Sequence, residues 1–486
     1  MRKLTVILLC MAMVFSLVSC GSSAAGDAQG TGSAQPESAA AAKDAGSGSG
    51  ETVSADAGGK NADAGAVSTD VGGSVGADTG AAGGWLAAAP AEDREKIDAL
   101  EKKYVGLKED GLKWEYNSSS QTIVISGEGA MRDYSEEVPA WDTYAGEAKK
   151  VVIGDEVTSI GAGAFMYFTA LEEAELGKGI EFIGNAAFTN CSCLRTVNFP
   201  ENLKYVGHYA FNEVLLHSDS GFAFPEGMLY LGESSFDSAF KENTVTIPAS
   251  LSVIGTGAFA NMFVSAFIVD PANPSYASVD GVLYDKNITT LINYPADKHD
   301  KTFEIPGTVT TILKDALETT NDLEKIVIPA SVQTIEECAF FWNYGLKGFE
   351  VDAANTCYKA VDGVLFTADG KLLLSYPFAS ERTEYTIPAG TERIAAYAVS
   401  PAKNLTELHT EEGLLEIGDT AFYLCDKLTS AGLPASLQKI GERAFQFCDG
   451  LTEIRFAGTS ADWQKVEIGE NNELLSDGSV TIYCAE

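Results

Sequence analysis

Basic side chains are scarce. The 486 residues hold 33 Lys and Arg against 69 Asp and Glu, a net charge of −36, and only 4 His. A nucleic-acid binder needs clusters of cations that displace counterions from phosphate, so that class is excluded. Peripheral attachment to anionic lipid through a basic patch is excluded on the same ground. Beyond the first 18 residues no apolar run approaches the roughly 20 residues that span a bilayer. Of 9 Cys, Cys10 lies in the apolar leader and Cys20 has a separate role. The others contain no C-x-x-C pair, and their odd number argues against a disulfide framework. Cys191-Ser-Cys193 offers a metal two ligands only. His208, His217, His299 and His409 lie in no H-E-x-x-H or Cys/His triad context and are expected to be solvated. Asp270, Asn273, Asp280 and Asp285 match no calcium-loop spacing. Acidic pairs such as Glu172-Glu173 are what a charged repeat surface produces. The chain is therefore read as non-catalytic, with no cofactor and no metal.

The amino terminus says where the chain resides. Arg2 and Lys3 precede an apolar run over 4–18, too short to span comfortably and suited to a secretory leader. The run closes in LVSCG over 17–21, which resembles a bacterial lipoprotein signal. The resemblance implies cleavage between Ser19 and Cys20, with diacylglycerol on Cys20 as the lipid attachment. Acyl chains on one residue anchor a protein stably without a spanning helix. After this signal peptide (1–19), residues 20–84 are mostly Gly, Ala, Ser, Asp and Thr, with almost no large apolar side chains. Such a composition buries too little surface to offset chain entropy. It reads as a disordered tether with an r.m.s. span of roughly 45 Å. Ile97, Leu100, Tyr104 and Leu107 then recur at helical spacing, so 85–110 is expected to hold one amphipathic helix that caps or leads into the fold.

One hexapeptide keeps returning: IGAGAF at 160–165, IGNAAF at 183–188, VGHYAF at 206–211, LGESSF at 231–236, IGTGAF at 254–259, IEECAF at 335–340, IGDTAF at 417–422 and IGERAF at 440–445. A spacing of almost always 23 residues means stacked repeats. Within a unit, an alternating segment such as LEKIVI (323–328) reads as a strand that Pro329 ends. A second short strand such as VQTI (332–335) turns back. Gly permits a tight bend, and the x-x-Ala-Phe turn is expected to be short helix or 3₁₀. The Phe residues should stack from coil to coil. Three residues past the Phe stand Cys191, Asn343, Cys425 and Cys448, expected to form a ladder that binds neighbouring backbone. The anchors Phe259 and Leu317, and Phe340 and Val399, are spaced 58 and 59 apart. The matching insertions contain DGVLY and DGVLF, and each reads as a β-hairpin, with turns at 285–287 and 369–370.

The expected organisation is an N-terminal cap over 111–150, built on a hairpin of 114–116 with 122–126. A repeat array follows over 151–456, with insertions at about 264–301 and 347–383, then a C-terminal cap over 457–486. The fold class is an α/β solenoid: a leucine-rich repeat right-handed superhelix of about 23-residue units, β-rich, with short helical turns. Atypical terminal units cover the open apolar ends of such a stack.

These motifs, with Gly127-Glu-Gly129 and the Gly458-Thr-x-x-x-Trp463 close, resemble the BspA-type leucine-rich repeat family of bacterial surface proteins. The match covers about residues 111–486. The resemblance implies secreted or surface-anchored binding modules, several of them linked to adhesion to host matrix proteins. From the residues themselves, a solenoid offers an extended sheet face. If Ala174, Leu176, Val197, Phe199, Ile454 and Phe456 point inward, period two turns Glu173, Glu175, Thr196, Asn198, Glu407, His409, Glu453 and Arg455 outward. That face is polar, acid-leaning and without an aromatic anchor. It suits an extracellular protein or glycan, with the membrane engaged through the lipid alone and the chain facing outward from a bacterial cell surface. The alternatives are a passive envelope spacer and an extracellular glycan-associated enzyme or carrier subunit.

Overall fold

The structure is a computed structural model describing residues 89–217, 221–239 and 241–486. The leader, Cys20 and the tether over 20–84 lie outside the described residues. From 113 onward the chain winds into a β-solenoid of about 14 turns of roughly 23 residues. Each coil places the strand before its Pro on a first face and a two-residue strand on a second face. Parallel pairing joins equivalent residues of successive coils: Glu173 pairs with Thr196, and Lys325 with Gly348. On the second face Phe182–Ile183, Tyr205–Val206, Tyr230–Leu231 and Val253–Ile254 line up in register. The Gly after the second strand is required by coil spacing. A Cβ on Gly184 would lie 2.5 Å from the Ala162 amide nitrogen, and one on Gly441 2.5 Å from that of Asp419.

The turn that closes each coil is a hydrogen-bonded ridge. Every second residue bonds three back, as in a 3₁₀ turn: Ala187 N–H donates to Gly184 O, and Thr189 to Ala186 O. The residues between donate to the next coil: Ala186 to His208 O, Phe188 to Ala210 O and Asn190 to Asn212 O. This alternation puts Ala186 and Asn190 at φ 54° and 61°, and the same columns carry positive φ in coil after coil. No helix forms, because half the N–H groups point along the stack. Left-handed residues cost about 1 kcal/mol each, which the cross-coil bonds offset.

Under the ridge the Phe rings stack as expected. Centroids are 5.3 Å apart for Phe165–Phe188, 5.2 Å for Phe188–Phe211 and 5.1 Å for Phe422–Phe445, with planes within 16°. The Cys/Asn column does form a ladder to neighbouring backbone. Cys191, Cys425 and Cys448 Sγ donate to the carbonyls of Phe165, Val399 and Phe422 at 3.1, 3.4 and 3.0 Å, and Asn343 Nδ2 donates to Leu317 O at 2.6 Å. Burial pushes the Cys425 thiol up to about 12, so it stays protonated and able to donate.

Three further expectations are corrected. Each insertion is a three-stranded meander, not a hairpin: Tyr276–Val279, Val282–Asp285 and Thr290–Asn293 in the first, Tyr358–Val361, Val364–Thr367 and Leu372–Ser375 in the second. The missed turns are Asp280-Gly281 and Asp362-Gly363, whose positive φ at both positions suits a two-residue hairpin loop. The third strand re-enters the second face, where Leu291 pairs with Ile312 and Leu373 with Ile394. The Asn and Tyr of each insertion are structural. Asn273 Nδ2 donates to the carbonyls of Pro248 and Leu251, and Ile254 N–H donates to the Tyr276 hydroxyl at 2.8 Å, which finishes the edge of the preceding sheet. Asn355 and Tyr358 repeat this.

The helix expected within 85–110 is present, and the second correction concerns its role as an end cap. It runs Ala91–Tyr104 (α1) and lies across the second face, not over an end. Its buried Ile97, Leu100 and Tyr104 cover a ladder of rings, Phe182–Tyr205–Tyr230, spaced 4.4 Å apart. Burial opposes ionisation of Glu181, but hydrogen bonds from Lys103, Tyr104 and Lys204 outweigh it and hold the carboxyl down at about 2. The end is instead covered by the hairpin of Lys113–Asn117 with Thr122–Ser126, where Trp114 meets Trp141 edge-on and Tyr116 stacks on Tyr144. The third correction concerns His208. It is part-buried: Nδ1 accepts the Glu233 N–H at 3.1 Å and Nε2 lies 3.3 Å from the Tyr230 hydroxyl. At the far end Thr481–Ala485 pairs with Glu453–Thr459, and a capping box between Thr459 and Asp462 starts the short helix Ser460–Trp463.

Phe188 is fully buried between two rings. Phe188→Ala is expected to cost about 3–5 kcal/mol, read as a lowered urea midpoint, with a loss below 1 kcal/mol arguing against the stack as the core.

Candidate binding surface

The first face presents the eight residues in two separate groups. In the sheet that ends with Thr196–Asn198, Lys150, Glu173 and Thr196 form one row, and Val152, Glu175 and Asn198 the next. Lys150 Nζ bridges both carboxylates, 3.3 Å from Glu173 and 2.5 Å from Glu175. Asn198 is engaged by backbone: its amide accepts the Leu176 N–H at 2.6 Å and donates to Leu176 O at 2.9 Å. Three of these four are thus open to a partner only at their outer atoms, or shared with Lys150; Thr196 is exposed.

The second group sits on the sheet spanning Glu384–Ile387 to Thr481–Ala485. One row is Glu384, Glu407, Ser430, Glu453 and Thr481. The other is Thr386, His409, then Gly432, which lies level with Arg455, and Tyr483. Gly432 leaves a gap between two cationic or polar side chains. Tyr483 is 55% exposed, so the face expected to lack an aromatic has one at its end. The terminal strand could not be registered from repeats because it belongs to none. Glu453 and Arg455 pair at 2.7 Å, and Glu407 lies 3.7 Å from His409. Between the groups, in chain order, the sheet of Thr302–Glu304, Lys325–Ile328 and Gly348–Val351 carries exposed cross-coil ion pairs. His299 is one partner, 2.7 Å from Asp322, which raises its pKa. Lys301–Asp322 and Lys347–Glu324 are others. Such pairs contribute under about 1 kcal/mol each.

The carboxylates weighed for calcium are used by the fold. Asp285 accepts the N–H groups of Thr289 and Thr290, Asp270 that of Ala272, and Asp280 pairs with Lys298 at 3.0 Å. Among the described residues, no group of three or more His, Cys, Asp and Glu is arranged to hold a metal.

A partly buried carboxyl cluster was missed. Where the first insertion interrupts the ridge, Asp237, Asp315 and Glu318 gather with Asn261, and Glu213, Glu233, Glu336 and Lys314 lie around them. Asn261 donates to Asp237 at 3.2 Å, Ser238 at 3.0 Å, and Thr319 donates to Asn261. Burial pushes Asp237 up to about 7, and burial with neighbouring carboxylates raises Glu318 well above its usual range. Writing the ridge columns one above another would have flagged these acids, because the other coils carry no acid in the columns of Asp237, Asp315 and Glu318.

A stack of 23-residue β-coils with a Phe spine and an outward strand face defines a leucine-rich repeat protein. The pattern of the BspA type leucine rich repeat region matches six copies over residues 143–270, 287–357 and 375–467, and the chain belongs to that family. Among solved structures, a leucine-rich repeat protein from Eubacterium ventriosum is 21% identical, with a TM-score of 0.51, covering 78% of this chain and 94% of that one. A leucine rich cell surface protein from Faecalibacterium prausnitzii is 23% identical, with a TM-score of 0.41, over 74% and 97%. No curated protein matches the chain. Among the described residues no helix is long and apolar enough to cross a membrane.

Asp237 sets a pH dependence. Its folded pKa lies above the unfolded value, so below about pH 4 both states hold the proton and no penalty exists. As pH rises toward 7 the unfolded chain releases its proton while the fold retains it, and stability falls. Asp237→Asn keeps the acceptor for Asn261 and Ser238. It is expected to raise Tm by several degrees at pH 7.5, on the order of 3 kcal/mol, and to leave Tm unchanged at pH 4. An equal gain at both pH values would show that ionisation is not the cause.

Proposed function

We propose that this chain is a lipid-anchored protein of the bacterial cell surface that binds an extracellular protein or glycan, host matrix included, through the first face of its solenoid. The observation that carries this reading is the pair of neighbouring rows that hold Glu407 and Glu453 in one and His409, Arg455 and Tyr483 in the other. These side chains project from coils whose packing needs none of them, with an exposed ring at one end and the Gly432 gap within reach. A ring beside mixed charges supplies both contact area and orientation. The leader and Cys20 support membrane anchoring through lipid alone, and residues 20–84 would hold the solenoid clear of the envelope. The acid excess favours a basic partner.

A Glu407→Lys, Glu453→Lys, Tyr483→Ala variant is expected to lose at least ten-fold in binding to immobilised matrix proteins and host cells, with Tm within a few degrees of the parent. Unchanged binding would favour the passive-spacer reading. Separately, Cys20→Ala should abolish labelling by a radioactive fatty acid and release the protein into the medium. Retention of the variant in the membrane fraction would overturn the lipid anchor.

A further inference from the structure

The ridge ladder fails twice, and the two failures differ. After the coils of Phe259 and Phe340 the next coil is displaced by an insertion. The donors that should cross then meet no carbonyl there: Gly257, Phe259 and Asn261 in the first case, Cys338, Phe340 and Trp342 in the second. None of the six N–H groups is in a hydrogen bond, although their ridge neighbours Ala339 and Phe341 make the usual bonds three back. At the first break polar side chains bridge the two sides. Asn293 Nδ2 donates to Phe259 O at 3.3 Å, and Thr319 donates to Asn261. At the second break the equivalent positions are Ser375, Pro401 and Trp342, and none of these bridges forms. A cleft of about 460 Å³ remains, lined by the ridge 338–342 on one side and Ala395–Tyr397 on the other.

The walls are unlike the rest of the ridge. Phe341 stacks on Trp342 at 4.7 Å and meets Tyr397 of the facing coil edge-on at 4.9 Å, so one aromatic wall joins both sides. All three rings are half-buried. In most other coils these columns hold small or polar residues. Glu336, Glu337, Glu416 and Asp419 line the cleft against Arg393 and Lys439, two more acids than bases.

The chain shows once what satisfies two of the three donors of such a row. Past the last coil, Arg443 N–H donates to Glu470 O at 2.9 Å and Phe445 N–H to Asn472 Oδ1 at 3.0 Å. The segment 470–472 is no repeat, yet it takes the place of one, with Asn471 at φ 60° as the ridge alternation requires. We infer that the cleft at the second insertion binds a peptide segment of a partner protein. Its alternate carbonyls accept the N–H groups of Cys338, Phe340 and Trp342, and an apolar side chain lies against Trp342 and Tyr397. A segment that mirrors the ridge needs Gly or Asn at alternate positions for the left-handed turns, and the acidic lining selects Lys or Arg elsewhere. Unpaired backbone donors are the usual source of affinity when a chain adds to an exposed edge. This site is on the ridge, away from the first-face rows, and does not rest on them.

The test is selection of a phage-displayed random 12-residue peptide library on the immobilised full chain. Recovered peptides are expected to be enriched in Lys or Arg and in Gly or Asn. A synthetic copy should bind at least ten-fold more weakly to Trp342→Ala and to Ala396→Arg, which fills the cleft from the facing wall. Glu407→Lys, Glu453→Lys should bind it as the parent does. Hydrogen exchange at residues 338, 340 and 342 should slow on binding. If Trp342→Ala fails to fold, Ala396→Arg and the exchange measurement decide. The proposal is overturned if no peptide is recovered, or if recovered peptides bind both cleft variants as tightly as the parent. Trp342-dependent capture of oligosaccharides from a glycan array, with no peptide bound, would overturn it in favour of a sugar site.

Discussion

Everything in this solenoid depends on one requirement: a peptide group buried between coils must bond to the coil next to it. The first face meets it by parallel pairing, the second face by two-residue strands, and the ridge by donors at alternate residues. A buried amide left unpaired forfeits roughly 1–3 kcal/mol, so all three rows have to keep the same period. That is why 23 residues recur, why Gly follows the second strand, and why residues as bulky as Tyr209 and Phe447 accept left-handed backbone. The Phe spine and the Cys/Asn ladder then fill the interior at a spacing the hydrogen bonds have already set.

The same requirement explains the irregular parts. An end or an interruption exposes a row of donors and acceptors, and chemistry outside the repeat takes up part of what is exposed. The Tyr276 and Tyr358 hydroxyls finish two sheet edges. Asn472 and Glu470 finish the last ridge. Asn261, Thr319 and the partly buried acids occupy the first interruption. At the second, Ser375, Pro401 and Trp342 stand in those places and form no such bridge. The two insertions look like copies in sequence, yet the junctions they create have opposite character.

The proposed binding surface follows a different logic. Outward side chains on the first face are constrained by neither the spine nor the ladders, so their identities are free to serve a partner. Helix α1 is a contrast: it covers the exposed rings of the second face, and leaves the first face as the broad surface bearing the charged rows.

The sequence by itself determined the period, the strand alternation, the Phe stack, the Cys/Asn ladder and the non-repeat ends, because each is a local pattern multiplied by repetition. It also turned Glu173, Glu407 and Arg455 outward, since period two leaves no choice once Ala174 and Ile454 face the core. Only the tertiary structure decided what depends on pairing between distant segments. It separated the eight surface residues onto two sheets and set Asn198 against Leu176. It placed Tyr483 at the end of the His409 row, folded each insertion into three strands, and laid α1 along the second face. Asp237 and Glu318 are 81 positions apart, and Trp342 and Tyr397 are 55 apart. The first distance is one period plus the 58 residues of an interrupted coil, and the second joins different columns of two coils 59 apart, so an insertion intervenes in each. The period that made the fold legible therefore could not say which ridge residues meet where the period breaks.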